Sequence, residues 1–239
     1  MKYQLINKAL YLPEIKTLVF GDLHLGHEFT FREPGSFIPE TQIKETKKDM
    51  EDIFKKLKKE KQEVEKVVFL GDIKHFFSYE KGEKNIILDI LLFIGKYVKR
   101  ENIILLKGNH EKIAQIADKK FLDYFIEKDV AFIHGDIVIK KAFEENIKTI
   151  VMGHLHPAIN LIDSQKIKKE KYKCYLIGKY KEKEVIILPS FLPTVEGLSV
   201  NEWLSDESCI IPEKVLRNFK VHVVGKNKIY DFGVLRKLK

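Results

Sequence analysis

The sequence predicts an α/β layered fold, and three observations carry that expectation. Short, continuous apolar runs recur along the chain, which suits strands buried on both faces. Segments between the early runs place their apolar residues at helical spacing. The runs also end in polar clusters, and in open α/β sheets the C-terminal strand edge is where ligands bind.

The elements follow in order. "TLVFGDLH", from Thr17, predicts a strand ending on Asp22 and His24. In "QIKETKKDMEDIFKKLKKEK", Ile43, Met50, Ile53, Phe54 and Leu57 fall on one helical face. "KVVFLGDIKH", from Lys66, predicts a second strand ending on Gly71 and Asp72. Ile86, Ile87, Ile90, Leu91, Ile94 and Val98 predict a second helix. "NIILLKGNHE", from Asn102, predicts a third strand ending on Gly108, Asn109, His110 and Glu111. Ile113, Ile116, Ala117 and Phe125 suggest a third helix, less regularly spaced. From Val130 onward strands and turns dominate: "DVAFIHGD", "IKTIVMGHLH" and "EVIILPSF". "YKCYLIGKYKEKEVIIL" and "FKVHVVGKNKIYDFGVL" predict β-hairpins around polar or Gly-containing turns. No repeat or linker interrupts this pattern. The expectation is one domain over residues 1–239 with a hairpin-rich C-terminal part.

Composition narrows the class. The chain has 239 residues, 44% hydrophobic and 33% charged, enough for a full core. No apolar run reaches the length of a membrane span, and the N-terminus lacks a signal-peptide pattern. Cys174 and Cys209 lie far apart without metal-type spacing, so reduced thiols and a cytoplasmic location are expected. The net charge of +8 suits an anionic partner such as nucleic acid or a phosphorylated metabolite. A chain rich in Lys, Glu and Ile also fits a surface of ion pairs.

The polar clusters are Asp22-x-His24, Gly71-Asp72, Gly108-Asn109-His110-Glu111, His134-Gly135-Asp136 and Gly153-His154-x-His156. Five of the eight histidines fall in them, His27 and His75 lie beside them, and only His222 stands apart. Packing alone would scatter histidines over the helices as well. Imidazole with carboxylate suits Mn, Fe or Zn. The donors are too many for one tetrahedral ion, but they fit two ions if a carboxylate bridges. Two such ions activate water and clamp a phosphoryl group. Glycine before Asp72, Asn109 and His154 is expected to let the chain turn sharply after each strand.

The order D-x-H, G-D, G-N-H-[DE], H, G-H-x-H over Asp22 to His156 resembles the calcineurin-like metallophosphoesterase superfamily. The resemblance implies a four-layer α/β/β/α sandwich of two mixed β-sheets with two divalent ions at one sheet edge. Mn²⁺ is the first choice, with Fe, Zn or Ni as alternatives. By motif, Asp22, His24 and His156 would hold one ion. Asn109, His134 and His154 would hold the other, and Asp72 would bridge. His110 would be the catalytic imidazole beside the leaving-group oxygen, and a metal-bound hydroxide would attack. "DLHLGHEFTFREPGSFIP", "LGDIKH", "GHLHPAI", "LPSFLP" and "IYDFGVLRKLK" further resemble archaeal members of the ligase-associated DNA-damage-response phosphoesterases.

The implied activity is hydrolysis of phosphodiesters, with DNA or RNA as candidate substrates and no membrane partner. A nucleotide or small-molecule phosphomonoesterase, and a nucleic-acid-binding protein with structural metals, stay open as alternatives. His27, Arg32 and His75 are candidate substrate contacts at the cleft rim; an Arg there would clamp phosphate through two hydrogen bonds. Asp136 is either a partner orienting an imidazole or a turn residue. The Lys-rich "KIKKEKYKCYLIGKYKEK" suits a phosphate backbone or the solvated face of a hairpin.

Overall fold

A computed structural model describes residues 2–25, 41–74, 81–110, 115–116, 119–162, 168–193, 196–205, 207, 209–226 and 228–238. Two mixed sheets follow one another along the chain. The first holds β1 (Gln4–Ile6), β2 (Ala9–Leu12), β3 (Thr17–Phe20), β4 (Lys66–Phe69), β5 (Ile103–Leu106), β6 (Gln115–Ile116) and β7 (Lys119–Leu122). Their spatial order is β1-β2-β3-β4-β5-β7-β6, with β3, β4, β5 and β7 parallel neighbours in turn. The helices α1 (Thr41–Lys59) and α2 (Lys81–Ile94) make the crossovers from β3 to β4 and from β4 to β5. Such crossovers are what parallel strands require.

The chain passes to the second sheet at Asp123. That sheet holds β8 (Tyr124–Glu127), β9 (Val130–Ile133), β10 (Thr149–Met152), β11 (Pro157–Ile162), β12 (Lys169–Tyr180), β13 (Lys183–Ile187), β14 (Leu198–Ser199), β15 (Lys220–Val224) and β16 (Ile229–Val234). β9, β10 and β13 run parallel, and the other pairings are antiparallel except β11 with β14. Both expected hairpins form, as β12–β13 and β15–β16. The first turns on Lys181 and Glu182, at φ 47° and 60°. Two successive left-handed residues match the twist of a two-residue hairpin.

Alternation explains why the apolar runs are continuous. In β4, Val67 and Phe69 face the helices, packing with Met50, Ile53, Ile87 and Ile90. Val68 faces the other way, into a layer shared with Phe132, Val151 and Ile186 of the second sheet. In β10, Ile150 and Met152 face outward and Val151 faces inward. Each fully buried side chain of this size contributes about 1.5–3 kcal/mol. Tyr175 lies in the layer between the sheets, and its hydroxyl donates to the carbonyls of Asn7 and Ala9, both at 2.9 Å. That bond satisfies the one polar atom the ring brings inside.

The mixed α/β class stands, with two departures. The outer layer on the second sheet is thin: the helical turn Lys140–Phe143 and the short α3 (Glu213–Leu216), burying Ala142 and Leu216. Where the irregular third helix was expected, the described residues form β6, β7 and β8; Ile113 and Ala117 lie outside the described residues. Phe125 pairs with Phe132 across β8–β9, their rings 5.8 Å apart, and β7 fills the slot beside β5. Cross-strand aromatic pairing and a free sheet edge outweigh a weak helical period. Among the described residues no helix is long and apolar enough to cross a membrane.

Candidate metal centre

Five strand ends build the site. β3 delivers Asp22 and His24, β4 delivers Asp72, and β5 delivers Asn109 and His110. From the second sheet, β9 delivers His134, and β10 delivers His154 and His156. All five strands are parallel members of their sheets, so their C-terminal ends share one edge.

The donor atoms converge into two groups. Asp22, His24, Asp72 and His156 place theirs within 4.8 Å of one another, and Asp72, His134 and His154 do the same. Asp72 belongs to both. In the first group, His24 Nε2 and His156 Nε2 lie 3.1 Å apart, and His156 Nε2 is 3.3 Å from Asp22 Oδ1. In the second, His134 Nε2 lies 3.2 Å from His154 Nδ1, 3.2 Å from Asn109 Oδ1 and 3.5 Å from Asp72 Oδ2. The other His134 nitrogen, Nδ1, sits 3.0 Å from the Leu70 carbonyl, which fixes the ring. That carbonyl takes the orienting role offered above to Asp136, which acts on His134 and His154 only through its charge. Each metal-binding imidazole needs such a partner to hold its tautomer.

Charge at the site is set by burial and proximity. Burial opposes ionisation of Asp22, but His156, His134 and His24 outweigh it and hold the carboxyl well below the usual range. Asp72 is likewise lowered, chiefly by His134 against the cost of burial. Burial and the neighbouring His156 push His24 down to about 3, leaving it a neutral donor. Burial acts against His134 too, yet its bond to Asp72 and the charge of Asp22 push it up to about 9. Burial and His134 lower His154. Ionised carboxylates and imidazoles aimed at common points, once His134 gives up its proton, are the donor set of a divalent cation, and the amide oxygen of Asn109 extends it. The residues present therefore fit two cations that share Asp72.

The backbone is bent to achieve this. His24, Asp72, His154 and His156 have φ of 41°, 43°, 62° and 47°, a left-handed region costly for residues with a Cβ. The preceding glycines act differently from the expectation. Gly71 turns the chain, at φ 110°, but Gly108 and Gly153 do not enter that region. They are needed for space: a Cβ on Gly108 would stand 2.2 Å from Asp72 Oδ1, and one on Gly153 would stand 2.5 Å from Asp22 Oδ2.

A support lies behind Asp22. The Asp22 carbonyl accepts from Phe191 N at 2.8 Å and from the Ser190 hydroxyl at 3.2 Å. The ammonium of Lys173 donates to the Ser190 carbonyl at 2.8 Å and to the Leu192 carbonyl. Burial and nearby Lys8 push Lys173 down to about 7. No motif spacing announced this lysine; it stands in a strand that also carries Lys169, Lys171 and Lys179, and nothing in the sequence sets it apart.

The sequence candidates divide cleanly. Asp22, His24, Asp72, Asn109, His134, His154 and His156 come together. The backbone N–H of His110 donates to Asp72 Oδ1 at 2.9 Å, and its partly exposed ring meets that of His24 edge-on at 5.1 Å. His27, Arg32, His75 and Glu111 lie outside the described residues. The described part of the Lys-rich stretch, from Lys168, runs along β12 into the hairpin turn, and Lys169 and Lys171 pair with Glu202 and Glu196.

The sequence matches the calcineurin-like phosphoesterase family over residues 15–225. No curated protein matches it. Among solved structures, nuclease MPE of Pseudomonas putida superposes with a TM-score of 0.63 at 17% identity, covering 97% of this chain and 100% of that one. Wild-type Vps29 of Entamoeba histolytica, complexed with zinc, gives 0.36 at 11%, covering 90% and 96%. The likeness to the P. putida protein is one of fold.

Proposed function

The chain belongs to the calcineurin-like phosphoesterase family, and from that membership we propose that it is a two-metal phosphodiesterase acting on nucleic acid. The observation that carries the two-metal reading is the single carboxylate, Asp72, common to two convergent donor groups. Asp22, His24, Asp72 and His156 would hold one ion, and Asp72, Asn109, His134 and His154 the other, with Mn²⁺ the first choice for such donors. Divalent cations bound there neutralise phosphoryl charge and acidify water for in-line displacement.

The chain's own groups do the rest. Asp72 is held by the His110 amide, so its carboxylate presents Oδ2 to both groups. His110 Nε2 stands 3.9 Å from that oxygen, at the partly exposed side of the site. From there its imidazole would hydrogen-bond the leaving-group oxygen and give it a proton. Nucleic acid as substrate is supported by the net charge of +8 and by the name nuclease borne by the P. putida protein of this fold.

The test is hydrolysis of bis(p-nitrophenyl) phosphate and of a labelled oligonucleotide with added Mn²⁺. Wild type is expected to turn over both, and Asp72→Ala to lose at least about 100-fold. Equal rates in the two proteins would refute the assignment. Turnover of p-nitrophenyl phosphate without either diester would replace it with a monoesterase.

A further inference from the structure

A cavity of about 390 Å³ opens beside the second donor group. Asn109 and His134 are part of its lining, so it adjoins the place where the phosphoryl group would be held. The lining also takes in residues around the same strand ends: Lys107 after β5, Asp123 after β7, and Asp136 and Ile137 beyond β9. Ile137, a β-branched side chain in that lining, is 58% exposed.

The lining offers acceptors. Among its described residues are the carboxylates of Asp123 and Asp136, beside the ammonium of Lys107 and the imidazole of His134. Carboxylates accept hydrogen bonds, and they suit the hydroxyls of a sugar or the amino groups of a base. Ile137 adds an apolar surface against which a ring can lie. We infer that this cavity seats the neutral nucleoside attached to the phosphoryl group under attack, and that Asp123 and Ile137 set a preference for nucleoside esters. The inference rests on the phosphoesterase reading of the adjoining centre.

Two diesters with one leaving group test it: thymidine 5′-(p-nitrophenyl phosphate) and methyl p-nitrophenyl phosphate, with the full-length Mn²⁺-loaded protein. Wild type is expected to favour the thymidine ester in kcat/KM by at least about 10-fold. In the double variant Asp123→Ala/Ile137→Ser, both at solvent-facing positions, the ratio is expected to fall within about threefold of one. A wild-type ratio near one, or a preference that survives the double variant, overturns the inference. Calorimetric binding of thymidine 5′-monophosphate and methyl phosphate gives an arm independent of turnover. If neither ester is hydrolysed, yet wild type binds the nucleotide about 10-fold tighter and the variant does not, the cavity stands and the esterase reading falls. Equal binding of the two phosphates by wild type overturns the cavity whatever the turnover.

Discussion

Gly108→Ala puts one methyl group against the shared carboxylate. The new Cβ would lie 2.2 Å from Asp72 Oδ1, 2.9 Å from its Cγ and 2.5 Å from its backbone nitrogen. Ordinary contact requires the carboxylate to retreat by more than about 1 Å. It cannot do so freely. Asp72 Oδ1 is bonded to the His110 amide, and the Asp72 carbonyl receives the amides of Leu23 and His24. Retreat therefore disturbs donors on both sides of the site. A displacement of this size in a reacting constellation costs on the order of 100-fold, about 2.7 kcal/mol of barrier. The assay is Mn²⁺-dependent hydrolysis of bis(p-nitrophenyl) phosphate, read beside a Mn²⁺ titration. Gly178→Ala is the control, because its Cβ would meet the Phe219 ring at 2.3 Å, away from the site. Overpacking there should cost about 1–3 kcal/mol of stability and leave the rate per folded molecule near wild type. If Gly108→Ala keeps its rate within about threefold, or Gly178→Ala loses as much, then close approach to Asp72 is not why residue 108 is glycine.

Three further outcomes follow from the same geometry. Filling the second donor group must expel the proton of His134, whose pKa is raised to about 9. Apparent Mn²⁺ affinity should then rise about tenfold per pH unit up to that value and level off above it, with about one proton released near pH 7.5; calorimetry in buffers of different ionisation enthalpy would show a buffer-independent heat if this is wrong. Lys173→Met strands the Ser190 and Leu192 carbonyls, so thermal unfolding should register a loss of about 1–3 kcal/mol, with weaker Mn²⁺ binding through Asp22; an unchanged Tm and unchanged titration contradict the support role. Chelating Mn²⁺ from protein held at about 100 times its Kd should remove about 2.7 kcal/mol of stability, and a Tm indifferent to chelator would deny a native-state metal site.

The fold was legible where burial on both faces writes the strand. Thr17–Phe20, Lys66–Phe69, Ile103–Leu106, Val130–Ile133 and Thr149–Met152 are such runs, and each lies where its apolar residues suggest. The helix carrying Met50, Ile53, Phe54 and Leu57 was legible because one stripe faces β4. The segment 115–127 was not. Its strands are two to four residues long, and they exist because β5 and β9 offer partners. Edge strands of this kind take their conformation from tertiary pairing, which spacing along the chain does not encode.

The candidate donor set was legible for the opposite reason: its chemistry is rare. Histidines gathered at strand ends in a fixed order have few structural explanations. What spacing could not express is how the residues reach one point. Four of the candidate ligands sit at positive φ, at roughly 1–2 kcal/mol each. Together that is comparable with the whole net stability of a domain, about 5–15 kcal/mol. Two flat sheets of strand ends would aim their side chains apart; the left-handed turns at His24, Asp72, His154 and His156 bring them back over the edge. The close approach of Asp72 to Gly108 and of Asp22 to Gly153 is the other half of the same compression. A core of three apolar layers lies beneath this edge. His24 and His156 bring their Nε2 atoms within 3.1 Å of each other there. The strain is thus borne by the sheets, which hold the donor atoms at common points.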